Sequence, residues 1–280
     1  MNTVFVNGQA QNTVSALDRG LLYGDSIFET LAVVAQQPLM LEDHLKRLKE
    51  GSDRLHFNAD IEALNQELQN VLIHCPLNGK SILRITLTRG EQSRGYRPGD
   101  DSSFTSILSI HKWPEYPESL HTKGMKLNQS DFRYAQQPRL AGIKHSNRLE
   151  QVLAAHSIGQ GFDDVVILDT GDNVISTSKG NIFFQFGHEW LTPDLSQCGI
   201  EGVVRANLIK HFMKEGIPCG IKTIKLNELL ARQAEITAAL CCNSIMGIVP
   251  IKHIFSKSIN STKSCQILRD KLVKAKVIAT

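Results

Sequence analysis

No stretch of this 280-residue chain keeps the uninterrupted apolar length of a membrane helix. The opening Met1-Asn2-Thr3-Val4-Phe5-Val6 lacks the basic start and long apolar run of a secretory leader. An excess of one charge is missing too. Lys and Arg total 31 against 28 Asp and Glu, a formal net charge of +3. That near balance leaves no electrostatic footprint for nucleic acid or an anionic membrane surface. Six cysteines lie scattered at Cys75, Cys198, Cys219, Cys241, Cys242 and Cys265, with no Cys-x-x-Cys pair. The ten histidines show no ligand spacing, so neither a zinc site nor a thioredoxin-type motif is expected. A Gly-x-Ser-x-Gly elbow, a Walker phosphate loop and a His-Glu-x-x-His pair are likewise absent. The expectation is a soluble protein of the reducing cytoplasm, with no metal, no membrane and no nucleic-acid partner.

Apolar residues make up 41% of the chain, enough for a sizeable core. A strand at Val4–Val6, a turn at Asn7-Gly8 and a strand into Ser15-Ala16-Leu17 open it. The β-forming run Ile27 to Val34 follows a loop punctuated by Gly20 and Gly24. Leu41, Leu45 and Leu48 recur at helical spacing, with Asp43 as a candidate cap. Ile61, Leu64, Leu68, Val71 and Leu72 mark a second helix. Ile82 to Thr88 and Phe104 to His111 read as strands. Pro114 and Pro117 flank a polar stretch through Lys123, a candidate linker. Beyond it come a helix with Leu149, Val152 and Leu153 on one face, a hairpin across Val165–Leu168 and Val174-Ile175, and a strand at Ile182–Phe186. A helix from Glu201 and strands near Ile221, Glu235–Cys242 and Ile245–Ile251 complete the pattern. The lysine-rich tail after Ile251 ends in a helix and carries no chemistry. This irregular mixture predicts an α+β protein of two domains, not a βαβ series. The boundaries expected are 1–115, a linker at 116–125, and 126–280.

Lys144 lies in Leu140-Ala141-Gly142-Ile143-Lys144-His145-Ser146-Asn147-Arg148-Leu149-Glu150-Gln151, at the junction of a loop and a helix. Apolar neighbours would desolvate its ammonium and lower its pKa, freeing an amine to attack an aldehyde. Taken alone, a surface lysine at a helix start is the better reading. Gly199-Ile200-Glu201-Gly202-Val203-Val204-Arg205 is a glycine-bearing turn into a helix, whose unpaired N–H groups favour an anion. By itself it is an ordinary loop-to-helix transition. Arg47 on an otherwise apolar helix suits phosphate through its planar fork, though a solvated helix face explains it equally. Asn243-Ser244 interrupts an apolar region, as a plain turn or as a phosphate contact. Arg94-Gly95-Tyr96-Arg97 could meet substrate carboxylates, but exposed arginines are common.

These signals fall in one order along the chain, and that order resembles the fold-type IV pyridoxal phosphate enzymes, the class IV aminotransferase family. The resemblance runs from Asn7-Gly8 to about Pro250. It implies a two-domain fold like that of the D-amino acid aminotransferases, a homodimer, a small-molecule substrate and a pyridoxal 5'-phosphate cofactor. Lys144 matches the Schiff-base lysine and Arg47 the phosphate-binding arginine. Val203 and Val204 match the backbone phosphate site, and Asn243-Ser244 the second phosphate turn. Tyr23-Gly24-Asp25-Ser26-Ile27-Phe28-Glu29 looks like the early active-site segment. Tyr23, Phe28, Arg94, Tyr96 and Arg97 then become substrate-binding candidates.

Three features resemble the aminodeoxychorismate lyase branch: the run Leu140 to Leu153, Thr30 after Phe28-Glu29, and Arg94-Gly95-Tyr96. The resemblance to that branch implies conversion of 4-amino-4-deoxychorismate to 4-aminobenzoate and pyruvate, a step toward folate, with Lys144 and Thr30 catalytic. The alternatives are a class IV aminotransferase acting on branched-chain or D-amino acids, and a homologue that binds cofactor without turnover. One position departs from the family. Ser176 stands five residues before Asn181, where the family usually carries a glutamate that pairs with the cofactor's pyridine nitrogen. A neutral hydroxyl makes the cofactor a weaker electron sink. That favours elimination driven by aromatisation over amino-group transfer.

Overall fold

The computed structural model describes residues 3–57, 59–92, 94–99, 104–255 and 257–279. Contacts divide the chain into two units: Met1–Pro114 with Ile143–Asn147, and Glu115–Gly142 with Arg148–Thr280. The segment bearing Lys144 therefore groups with the first unit.

The first unit contains β1 (Thr3–Val6), β2 (Gln9–Ala10), α1 (Arg19–Tyr23), β3 (Ser26–Val34), β4 (Gln37–Pro38), α2 (Leu41–Arg54), α3 (Ile61–Leu72), β5 (Lys80–Thr88) and β6 (Thr105–Lys112). Its sheet runs β2-β1-β6-β5-β3-β4. Register sets the two faces. Thr30 opposes Arg84 and Arg84 opposes Ser109, while Phe28 opposes Thr86. Since side chains alternate along a strand, Phe28, Thr30, Arg84, Ser109 and His111 share one face. Ile27, Glu29, Leu31, Leu83, Ile85 and Leu108 share the other. Most of that second set joins a core with Leu48 of α2 and Leu64 and Leu68 of α3. Each of these leucines is at most 1% exposed, so each contributes about 1.5–3 kcal/mol by burial.

Two sequence expectations change here. The second strand stops at Ala10 instead of reaching Leu17, because Gln11 to Ser15 is exposed and has no strand partner. Asp43 does not cap α2. The helix starts two residues earlier, after Met40 in a left-handed conformation, and Asp43 sits inside the first turn.

The second unit contains α4 (Ser119–Thr122), β7 (Met125–Tyr134), α5 (Leu149–His156), β8 (Asp164–Asp169), β9 (Val174–Thr177), β10 (Asn181–Phe186), β11 (Glu189–Pro193), α6 (Val203–Lys214), β12 (Cys219–Lys222), α7 (Leu226–Ala231), β13 (Ile236–Asn243), β14 (Gly247–Ile254), β15 (Lys257–Ser258) and α8 (Thr262–Lys274). Its sheet runs β12-β11-β10-β13-β14-β7-β8-β9, with β15 paired to β14. Residues of β8, β9, β10 and β13 are buried almost throughout. The architecture is α+β. Among the described residues no helix is long and apolar enough to cross a membrane.

Candidate functional site

Lys144 is held on the first unit's sheet by its backbone. Its carbonyl accepts from the Phe28 amide at 2.9 Å, and the Ser146 amide donates to the Ser26 carbonyl at 2.9 Å. His145 bridges Ile27 between these bonds. The segment end is fixed by Gly24, the C-cap of α1 at φ 64°. A Cβ at Gly24 would lie 2.2 Å from Asn147 Oδ1, so only glycine admits that approach. Lys144 Nζ rests 4.3 Å from the centre of the Phe28 ring. Lys144 is half-buried and Thr30 lies on the same sheet face as Phe28.

On the opposite face Glu29 is 1% exposed. Its Oε2 lies 2.6 Å from His44 Nδ1, and Arg47 donates through Nε at 2.6 Å and through an Nη at 2.5 Å. Burial pushes the Glu29 carboxyl up, but the charges of Arg47 and His44 and their hydrogen bonds outweigh it and bring it to about 2. Arg47, read from the sequence as a phosphate ligand, thus spends two of its donor groups on Glu29. Pattern reasoning missed this partnership. The signal was present: a carboxylate inside an apolar strand needs a buried partner, and His44 and Arg47 present two at helical i,i+3 spacing.

The Tyr23 and Tyr96 rings stand 5.6 Å apart, and Arg19 stacks on Tyr23 at 4.7 Å. Arg19 also donates to the carbonyls of Gly95 at 2.8 Å and Tyr96 at 2.9 Å, holding that loop. Arg94 and Arg97 are exposed. Sequence reading also missed Arg84, whose guanidinium carbon lies 4.1 Å from the Phe28 ring centre.

In the second unit Ser176 is 8% exposed, and its hydroxyl and the Gln151 side chain hydrogen-bond with the Tyr134 phenol. Burial pushes that phenol up, against the pull of these bonds and the Arg148 charge. Asn181 donates to the Ile200 carbonyl at 2.9 Å, and the Gly142 amide to the Gly199 carbonyl at 2.9 Å. These bonds fix the turn that enters α6. Gly202 precedes the helix, and a Cβ there would lie 2.1 Å from Asn181 Oδ1. No side chain caps α6 and its first turn holds no carboxylate. Its leading amides, at Val203 and Val204, keep the anion-favouring field of a helix start. Asn243 is committed to its own turn: Oδ1 accepts from the Ile245 and Met246 amides, and Nδ2 donates to the Lys179 carbonyl.

The first unit carries a lysine fixed on a sheet face, a group suited to amine chemistry, and the second unit carries an uncapped helix start, a feature suited to an anion. The family model for amino-transferase class IV matches residues 26–254, and the chain belongs to that family. An aminodeoxychorismate lyase of Vibrio harveyi is 29% identical over 255 residues, covering 89% of this chain and 90% of that one. The crystal structure of 4-amino-4-deoxychorismate lyase from Pseudomonas aeruginosa superposes with a TM-score of 0.91 at 36% identity, covering 98% of this chain and 100% of that one. The branched-chain amino acid aminotransferase of Escherichia coli shares the fold, with a TM-score of 0.84 at 18% identity over 99% of this chain and 96% of that one.

Proposed function

We propose that this chain is a pyridoxal 5'-phosphate-dependent lyase converting 4-amino-4-deoxychorismate to 4-aminobenzoate and pyruvate. The observation that carries the reading is the placement of Lys144: two backbone hydrogen bonds set its amine over Phe28 on the face that also bears Thr30. The similarity to two lyases over nine-tenths or more of their length supports it.

The residues present fit the cofactor. Gly202 leaves no room for a side chain beside Asn181, and the first turn of α6 holds no acidic residue. Val203 and Val204 would offer amides to the phosphate, Ser244 a further contact, and Arg47 a positive charge. Lys144 would hold the cofactor's aldehyde carbon. When bound to the substrate nitrogen, the cofactor draws electron density from the neighbouring C–H bond. Lys144 Nζ would then take the proton from the carbon bearing that nitrogen. The ether bond at the adjacent carbon breaks, and the departing enolpyruvate takes up a proton delivered by Lys144 or Thr30, giving pyruvate. Aromatisation supplies the driving force, so the neutral Ser176 suits elimination better than amino transfer. Tyr23, Phe28, Arg94, Tyr96 and Arg97 are the substrate contacts of this reading. A homodimer belongs to it as well: Leu149, Val152 and Leu153 of α5 are each at least 50% exposed, an apolar stripe that a second copy would cover.

The test is product identity. Purified protein with cofactor and 4-amino-4-deoxychorismate should release 4-aminobenzoate and pyruvate in equal amounts, and Lys144→Ala should release neither. Equal output from both proteins, or a new 2-oxo acid formed only when an amino donor and an acceptor are supplied, overturns the lyase reading.

A further inference from the structure

Phe28 carries two cations on one ring. Arg84 Cζ lies 4.1 Å from its centre and Lys144 Nζ 4.3 Å, so the charges are no more than about 8 Å apart. The ring is 7% exposed. Among the described residues Arg84 makes no ion pair, and its guanidinium stacks on Phe28.

Within the sheet of the first unit, few of the described residues on this face are charged. On β5 they are Arg84 and, at the strand start, Lys80, which stacks on Trp113. On β6 they are His111, hydrogen-bonded to Ser109 at 2.8 Å, and Lys112 at the strand end. β1, β2 and β4 carry no charged residue. The carboxylate of β3 is Glu29, turned to the opposite face and bound to His44 and Arg47 from α2. Asp25, just before β3, is bound by Arg19 and Arg89. His145 flanks Lys144 on its own segment. No carboxylate of this sheet is therefore placed to neutralise Arg84. Its field already reaches further along the strands: His111 is held below its usual range by burial and then by Arg84.

We propose that Arg84 is a positioning residue that holds the Lys144 amine in its neutral, nucleophilic form, by opposing a second positive charge on the Phe28 ring. A like charge nearby disfavours the ammonium. At about 8 Å and an effective dielectric near 20, the Coulomb effect is about one and a half pH units, which screening by salt trims to about one. The role of that amine rests on the proposed function; the electrostatic effect does not.

The experiment reads the amine directly. The full-length chain freed of cofactor is labelled with trace acetic anhydride between pH 6 and 11, and acetylation is quantified by peptide mass spectrometry. Lys46, with a side chain 73% exposed, is the internal reference. Arg84→Met should move the half-labelling pH of Lys144 up by about one unit and leave Lys46 unmoved. Well below the midpoint, labelling of Lys144 then falls about tenfold. Arg84→Lys keeps the charge and should restore the wild-type midpoint. If Arg84→Met loses cooperative unfolding, Arg84→Gln is read in its place. A Lys144 midpoint in the neutral variant within about 0.3 unit of wild type overturns the proposal, as does an Arg84→Lys variant that shifts as far as the neutral one. A shifted midpoint without 4-aminobenzoate release leaves the inference standing and removes the lyase reading. Release with no shift does the reverse.

Discussion

Replacing Glu29 with glutamine removes one partner from a buried trio and leaves Arg47 and His44 without their anion. Glu29 falls from 4.5 to about 2 on folding, because burial is outweighed by Arg47 and His44. At about 1.4 kcal/mol per unit this depression stabilises the fold by about 3 kcal/mol. The sign follows from the direction. A carboxyl with a depressed folded pKa lends its stability fully above its unfolded value near 4.5, and loses it as pH falls through about 2. Cutting one member out of a buried ion pair costs about 3–5 kcal/mol, which agrees in size. Glu29→Gln should therefore be about 3 kcal/mol less stable than wild type at pH 7, with the gap narrowing toward pH 2. Urea unfolding at pH 7, 4 and 2 measures the gap, and amide exchange on β3 and α2 localises it to the first unit. Other carboxyls titrate in both proteins and cancel in the difference. A gap that stays constant from pH 7 to pH 2 refutes the reasoning, since it would mean that Glu29 does not titrate where its partners place it.

Gly202→Ala puts a Cβ 2.1 Å from Asn181 Oδ1, so the turn into α6 must move. Overpacking of this kind costs about 1–3 kcal/mol, and a roughly tenfold or greater rise in the dissociation constant for pyridoxal 5'-phosphate is expected by absorbance titration. Burial pushes the thiols of Cys198, Cys241 and Cys265 up to about 12, and that of Cys219 to about 11. At pH 8 the native protein should react with a disulfide reagent at these four sites about a hundredfold or more slower than free cysteine does, and unfolding should release all six thiols. Ser176→Glu supplies the missing carboxylate beside Tyr134. It should raise amino transfer to a 2-oxo acid only modestly, and a sharp rise with low lyase output would reverse the ranking of the two activities.

Helices α2 and α3 were legible because Leu45, Leu48, Leu64 and Leu68 repeat at the helical period and one side of each helix is packed. The same logic found α5, where Leu149, Val152 and Leu153 do form one face, and that face is exposed. Periodicity tells which side is apolar and not what covers it. The start of α2 was misread for a local reason: Met40 in the left-handed region sets the boundary, and no side-chain pattern announces that. Lys144 was singled out by its neighbours in the sequence. What fixes it is a pairing with Ser26 and Phe28, more than a hundred residues away, which no local window contains.

The alternation of β3 explains why some of the site stayed hidden. Consecutive residues Phe28, Glu29 and Thr30 look like one motif in the sequence, yet the pleat sends them to opposite faces. Glu29 enters the packed side, where an isolated carboxylate would be costly and Arg47 and His44 from α2 hold it. Phe28 and Thr30 face the side where Lys144 lies. The α2 arginine that looked like a ligand-binding group is therefore first a counter-ion. The β5 arginine that carried no pattern at all is the one that meets the lysine's ring. Strand pairing, with Arg84 opposite Thr30, decides this division of roles, and a single shift of register would exchange the two faces and undo both arrangements.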